Sequence, residues 1–198
     1  MIVEFVIAAT LTLPTMGPSV TQVEFREPIR EVVTYPPVGV LEQASGLRLP
    51  DEVRSVFEED FLEGHVYFGA FAITKEFGYG YVTGANSIEA ARDIAIEECL
   101  KQGAGCLIFA ELYPEGYVPL EDGQVSLAPE AAAYFNNPGA DWGTYRAMAV
   151  SEDGAYAIVW DYETPAAAAA AALADCEEYV ITNLPNLRSM PCVLIPFK

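Results

Sequence analysis

Hydrophobic and polar positions follow the same course twice along this chain. Phe68 to Thr74 reads as a strand, Lys75-Glu76-Phe77-Gly78 as a turn, and Gly78 to Thr83 as a second strand of a hairpin. The second strand divides by size: Tyr79 and Tyr81 point one way, Gly78 and Gly80 the other. The period then changes from two to about 3.6. Ile88, Ala91, Ala95 and Cys99 share one helical face, while Glu89, Arg92, Asp93 and Glu97 lie away from it. Ser87 precedes that helix as an N-cap, its hydroxyl accepting from an otherwise unpaired helix N–H. Gly103 and Gly105 turn the chain back, and Cys106 to Tyr113 forms a third strand.

Residues 149–176 repeat residues 72–99 without a gap. Ala72, Tyr79, Val82, Ala90, Ala91, Ala95 and Cys99 recur as Ala149, Tyr156, Val159, Ala167, Ala168, Ala172 and Cys176. Tyr156, Ile158 and Trp160 keep the large side of the strand, and Ala155 and Ala157 the small side. Thr164 caps the second helix, with Pro165 at its first turn, where a missing N–H costs little. The alanine run after it is a helix, since alanine is the best helix former. Cys192 to Phe197 is the last strand.

These patterns predict an α+β fold of two β-β-α-β repeats. Each would be a three-stranded sheet with one Ala-rich helix, the two packed with pseudo-twofold symmetry. The first strand of each repeat should lie in the middle, with the helix crossing right-handedly. The small strand face calls for close approach of that helix. The expected divisions are 1–18, a signal-like segment; 19–66, a leader with a short helix; 67–113, repeat one; 114–143, a connector with a short helix; and 144–198, repeat two. In the leader, Val20 to Phe25 alternates like a strand, and Asp51 is placed to cap a helix whose apolar face is Val53, Val56 and Phe57, ended by Gly64. In the connector, Ser126 to Phe135 reads as a helix.

Composition sharpens this picture. Of 198 residues 52% are hydrophobic, enough for a sizeable core despite a net charge of −19 from 29 acidic and 10 basic side chains. Such a field repels nucleic acid and anionic lipid, and it favours solubility and cationic partners. The apolar stretch Phe5 to Leu13 is as long as the core of a signal peptide but too short to span a bilayer. It lacks the usual basic flank, so it reads either as an export signal or as a buried strand. The protein is therefore expected not to be membrane-spanning.

Four cysteines stand in equivalent places, two per repeat. The arrangement favours the bridges Cys99–Cys106 and Cys176–Cys192, against four reduced thiols, and stable bridges imply an oxidising compartment. No Cys-x-x-Cys occurs and the one histidine is His65, so no metal site is expected. Gly78-x-Gly80-x-x-x-Gly84 sits on a hairpin rather than a strand-to-helix turn, and no nucleotide or other cofactor is expected. His65 lies beside Gly64 with no evident nucleophile, so no catalytic residue is assigned. Acids cluster at Glu58-Glu59-Asp60, Glu97-Glu98, Glu152-Asp153 and Asp175-Cys176-Glu177-Glu178, none in an EF-hand pattern. Tyr79, Tyr81, Tyr156, Trp160 and Tyr162 form a large strand face. That face is either core and inter-repeat packing or a surface for a partner.

The pattern of Ala72, Ile73, Gly78, Gly80, Ala90, Ala91, Ala95, Ile96, Cys99 and Cys106 resembles the domain-of-unknown-function 4189 family. Weaker echoes fall at Ala149, Val150, Ala155, Ala167, Ala168, Ala172, Leu173, Cys176 and Cys192. The two-copy layout is similar to that of exported proteins of marine alphaproteobacteria. The resemblance covers residues 67–113 and 144–198 and implies export and paired cysteines, with no catalytic residues to carry over. The expectation is a periplasmic or secreted, disulfide-stapled interaction or envelope protein without catalytic activity. Its partner would be a protein or envelope component, cationic in character, and not a nucleic acid. The alternatives are a hydrolase acting on an envelope component and a small-ligand binder.

Overall fold

The computed structural model describes residues 30–43, 46–63, 67–136, 143 and 145–196. It is a mixed α+β protein. Strands β1 (Glu31–Val33) and β2 (Gly39–Gln43) come first, then helix α1 (Asp51–Val56), which runs on as a π-helical turn over Phe57–Leu62. Strands β3 (Phe68–Ile73) and β4 (Tyr79–Ala85), helix α2 (Ile88–Leu100) and strand β5 (Leu107–Pro114) follow. Strand β6 (Gln124–Ser126) and helix α3 (Pro129–Asn136) lead to β7 (Tyr145–Val150), β8 (Tyr156–Tyr162), helix α4 (Pro165–Glu177) and β9 (Val193–Ile195).

Two antiparallel sheets carry the fold, one in the order β2-β5-β3-β4 and one in the order β8-β7-β9. In both, the first strand of the hairpin pairs with its hairpin partner and with the strand that follows the helix. All six residues of β3 are buried, because this inner strand is covered on both faces. On one face lie Ala90, Ala91, Ala95 and Cys99 of α2; on the other lie Phe57 and Phe61. The second sheet packs Ala149, Ala157 and Val159 against Ala168, Ala172 and Cys176 of α4. Its opposite face sets Met148, Val150 and Ile195 against Leu127 and Ala131.

Small residues set the helix–sheet distance. A Cβ on Gly80 would lie 2.2 Å from the Cys99 backbone nitrogen and 2.7 Å from the Ala95 carbonyl oxygen. The close approach expected from the small strand face is therefore present in β4. Both helices start as expected: Ser87 Oγ accepts from the Ala90 N–H at 3.0 Å and Thr164 Oγ1 from the Ala167 N–H at 3.1 Å. Both bridges, Cys99–Cys106 and Cys176–Cys192, span 6.1 Å between Cα atoms and tie the helix end to the return strand. Breaking Cys176–Cys192 by a double serine substitution should cost about 3 kcal/mol, and breaking Cys99–Cys106 about 2.5 kcal/mol, on loop entropy. Urea unfolding of the two variants under non-reducing conditions checks the order.

Other expectations are corrected. The first sheet has four strands, not three, because β2 from the leader adds to β5. Asp51 is not the N-cap: Pro50 takes that place, and Asp51 is already helical and pairs with Arg54 at 2.7 Å. Residues 124–126 form a strand parallel to β1, and the connector helix starts only at Pro129. The expected strand at residues 20–25, the signal-like segment, Gly64 and His65 lie outside the described residues.

Between the sheets, Asn86 acts as a stitch. Its backbone N–H donates to the Glu152 carbonyl at 2.8 Å, and its Nδ2 donates to the Ser151 carbonyl at 2.7 Å. Its Oδ1 accepts from the Ala128 N–H at 2.6 Å, and its carbonyl accepts from the Ser126 hydroxyl. Gly154, at φ +102°, approaches so closely that a Cβ there would lie 2.7 Å from the Gly84 carbonyl oxygen. Arg188 joins Asp93 and Glu152 across the same seam.

Candidate functional site: an aromatic and acidic groove along β8

Among the described residues, β8 pairs with β7 alone, so one side of its backbone forms the edge of the second sheet. A groove of about 730 Å³ runs along that edge. Tyr156, Ile158 and Trp160 of β8 alternate onto one face, as strand geometry requires. Tyr134 of α3 closes this side, its ring centroid 6.2 Å from that of Tyr156. On the other side stand Asp175 and Glu178 at the end of α4, with Tyr179 just beyond. Trp160 is 45% exposed and Tyr179 69%.

The electrostatics of the groove are one-sided. A helix C-terminus carries partial negative charge and favours cations, yet the last turn of α4 has no basic residue. Asp175 and Glu178 thus add charge where the helix gains nothing from it. Burial, with the Glu130 carboxylate nearby, pushes the Tyr156 hydroxyl up to about 12, so it stays protonated near neutrality. Other carboxylates in the acidic runs are committed to the fold. Glu97 accepts from the Asn186 backbone and side-chain amides, Asp153 from the Ala155 and Ile181 N–H groups, and Glu177 from the Cys192 N–H.

The residues of the predicted aromatic face separate. Tyr79 and Tyr81 stack on Phe71, at 5.7 and 5.8 Å, in the cluster that α1 and its π-helical extension close. Tyr156 and Trp160 line the groove; Tyr162 is 37% exposed at the end of the same strand. Sequence reasoning missed Tyr134 and Tyr179, which come from a helix and a loop outside any strand pattern. Asp175 and Glu178 were visible only as part of an acidic run.

Two further clusters carry charge. Arg92 donates to Glu111 through Nε at 2.5 Å and to the Tyr113 hydroxyl through an Nη at 2.9 Å, and that hydroxyl donates to Glu111 at 2.8 Å. Burial pushes the Glu111 carboxyl up, but the bonds from Arg92 and Tyr113 outweigh it and hold it below its ordinary 4.5. Burial and the bond to Glu111 push Tyr113 up to about 12. Every member of the trio therefore keeps its proton state near neutrality, as suits a structural clamp. The Glu111→Gln substitution should cost about 1–2 kcal/mol at pH 7, since Arg92 is half-exposed and partly screened. A depressed folded-state pKa gives stability that is present above the unfolded value and lost as pH falls through the folded one. The difference between parent and variant should therefore shrink below pH 4.5, which urea unfolding across pH 3–7 measures. A second cavity of about 530 Å³ lies at the seam, lined by Asn86, Ser87, Glu152 and Arg188 among others. Those four side chains are already bonded to one another or to the backbone across the seam.

Among the described residues no group of three or more His, Cys, Asp or Glu side chains is arranged to hold a metal ion, and no helix is long and apolar enough to cross a membrane. The chain matches no family model, no curated protein and no solved structure.

Proposed function

We propose that this is an exported interaction protein of the domain-of-unknown-function 4189 type, built from two copies of one β-β-α-β unit about a pseudo-twofold and stapled by one disulfide in each. The second copy docks a cationic partner through the groove along β8. One observation carries this reading. The two copies share the start of a large strand face but continue it differently. In the first, Tyr79 and Tyr81 are packed under α1 and its π-helical extension. In the second, Tyr156 and Ile158 take the equivalent places and are packed as well, but Trp160 stands where the first copy has Thr83 and is 45% exposed beside a groove lined by Asp175 and Glu178. A solvated structural surface has no use for exposed aromatics on an edge strand, whereas an interface is enriched in them. The duplication is supported by equal element order, the same order of the three shared strands, matched caps and bridges of equal Cα span.

Photo-crosslinking in cells that make the protein tests this. A photoreactive residue at position 179 should give one dominant adduct in the envelope fraction, and the same residue at exposed position 115 should not. The adduct should fade as salt rises, because screening shortens the field to about 10 Å at 0.1 M. Equal labelling from both positions, or none from 179, would remove the docking reading.

A further inference from the structure

We infer that the partner binds as an extended basic strand that adds to the edge of β8 with which no other described strand pairs. This rests on the docking reading above and names its mode. Four observations converge on it. First, β8 is seven residues long, YAIVWDY, and is rich in aromatic and β-branched residues. Exposed edges are normally blunted with lysine, proline or a cover. Within β8 there is no lysine and no proline, its charge is confined to Asp161, and the bulge at Asp161 (φ +63°) leaves residues 156–159 as the regular part of the edge. Second, the groove follows the strand on both of its faces: Ala155 and Ala157 line it with Asp175 and Glu178, and Tyr156 and Ile158 line it with Tyr134. A strand laid against β8 would present alternate side chains to these two walls.

Third, the walls differ in chemistry. The α4 side offers two carboxylates, and the α3 side offers the rings of Tyr134, Tyr156 and Trp160. Lysine or arginine side chains suit both, through ion pairing on one side and cation–π contact on the other. Among the described residues no basic side chain lines the groove. Fourth, the net charge of −19 makes a second copy of this chain a poor occupant, since two such bodies repel. Backbone hydrogen bonds would supply affinity along the edge, and the acids would select the sign of the partner.

The test uses the full oxidised chain and an end-blocked peptide of about eight residues, a strand's usual length, alternating valine and lysine. Binding by calorimetry should weaken about tenfold between 0.02 and 0.2 M salt. Amide hydrogens of residues 156–162 should gain protection on binding. The double variant Asp175→Lys with Glu178→Lys should bind about tenfold more weakly, as should a peptide N-methylated at its valines, which cannot donate along one edge. An N-methylated peptide that binds as tightly as its parent would overturn strand addition while leaving docking at the groove intact. Equal binding of a valine–glutamate peptide, or protection gained at residues 39–43 or 79–85 instead, would also overturn the inference. So would a dimer of the chain that protects residues 156–162 without any peptide.

Discussion

The Asn86→Ala variant is expected to lose about 2–3 kcal/mol of stability. The side chain of Asn86 serves two backbone groups from separate segments, the Ser151 carbonyl at 2.7 Å and the Ala128 N–H at 2.6 Å. Asn86 is buried, and so is Ser151. Truncation leaves the Ala128 N–H without its partner and reduces the Ser151 carbonyl to its bond from the Gly154 N–H; an unsatisfied group costs about 1–3 kcal/mol and a lost bond about 1 kcal/mol. The loss should be regional as well. Residues 124–136 hang on the seam through Ala128 and through Ser126, whose hydroxyl donates to the Asn86 carbonyl. Hydrogen exchange in Asn86→Ala should therefore speed up first there and in the loop at 151–154, before α2 is affected. An unchanged unfolding midpoint would mean that the two sheets do not depend on this stitch.

The Gly80→Val variant is expected to cost about 3 kcal/mol or more, since overpacking a closely packed site forces backbone to shift. The atoms in the way are backbone atoms of α2, the nearest only 2.2 Å from a new Cβ, so no side chain can swing aside. The shift would also disturb Cys99, whose bridge lies at the same helix end. The equivalent position of the second hairpin is Ala157, which faces Ala149 as Gly80 faces Ala72. There a Cβ is already accommodated. Ala157→Gly should cost only about 1 kcal/mol, through backbone freedom and a lost methyl contact. Thermal unfolding of the two variants side by side measures the contrast. Equal losses would contradict the close approach of α2 to Gly80.

These two positions also show how far the fold was legible from sequence. Gly80 was readable because a strand that keeps one face small at every second residue demands a close neighbour. The helices were readable because the hydrophobic period changes at Ser87 and Thr164, both of which can cap. The bridges were readable because each copy ends its helix with a cysteine, Cys99 and Cys176 in register, and opens its last strand with another. Asn86 was not readable, because its partners lie far along the chain and an asparagine before a serine looks like any loop. The pairing of β2 with β5 joins segments separated by the whole first hairpin and α2, and neither strand's own pattern records that neighbour. Asp51 was misplaced as a cap because acids suit both the cap and the first helical turn. The aromatic face was visible as a pattern, but its division into a covered half and an open half was not. That division depends on where α1 and α3 come to rest.

The account depends on a chain that is exported and held by one bridge in each unit. Trapping free thiols in intact cells, followed by non-reducing peptide mapping of the full chain, measures this most directly. The expected map contains the Cys99–Cys106 and Cys176–Cys192 peptides and no trapped thiol. Four trapped thiols would contradict export, and a Cys99–Cys176 peptide would contradict the two-unit design.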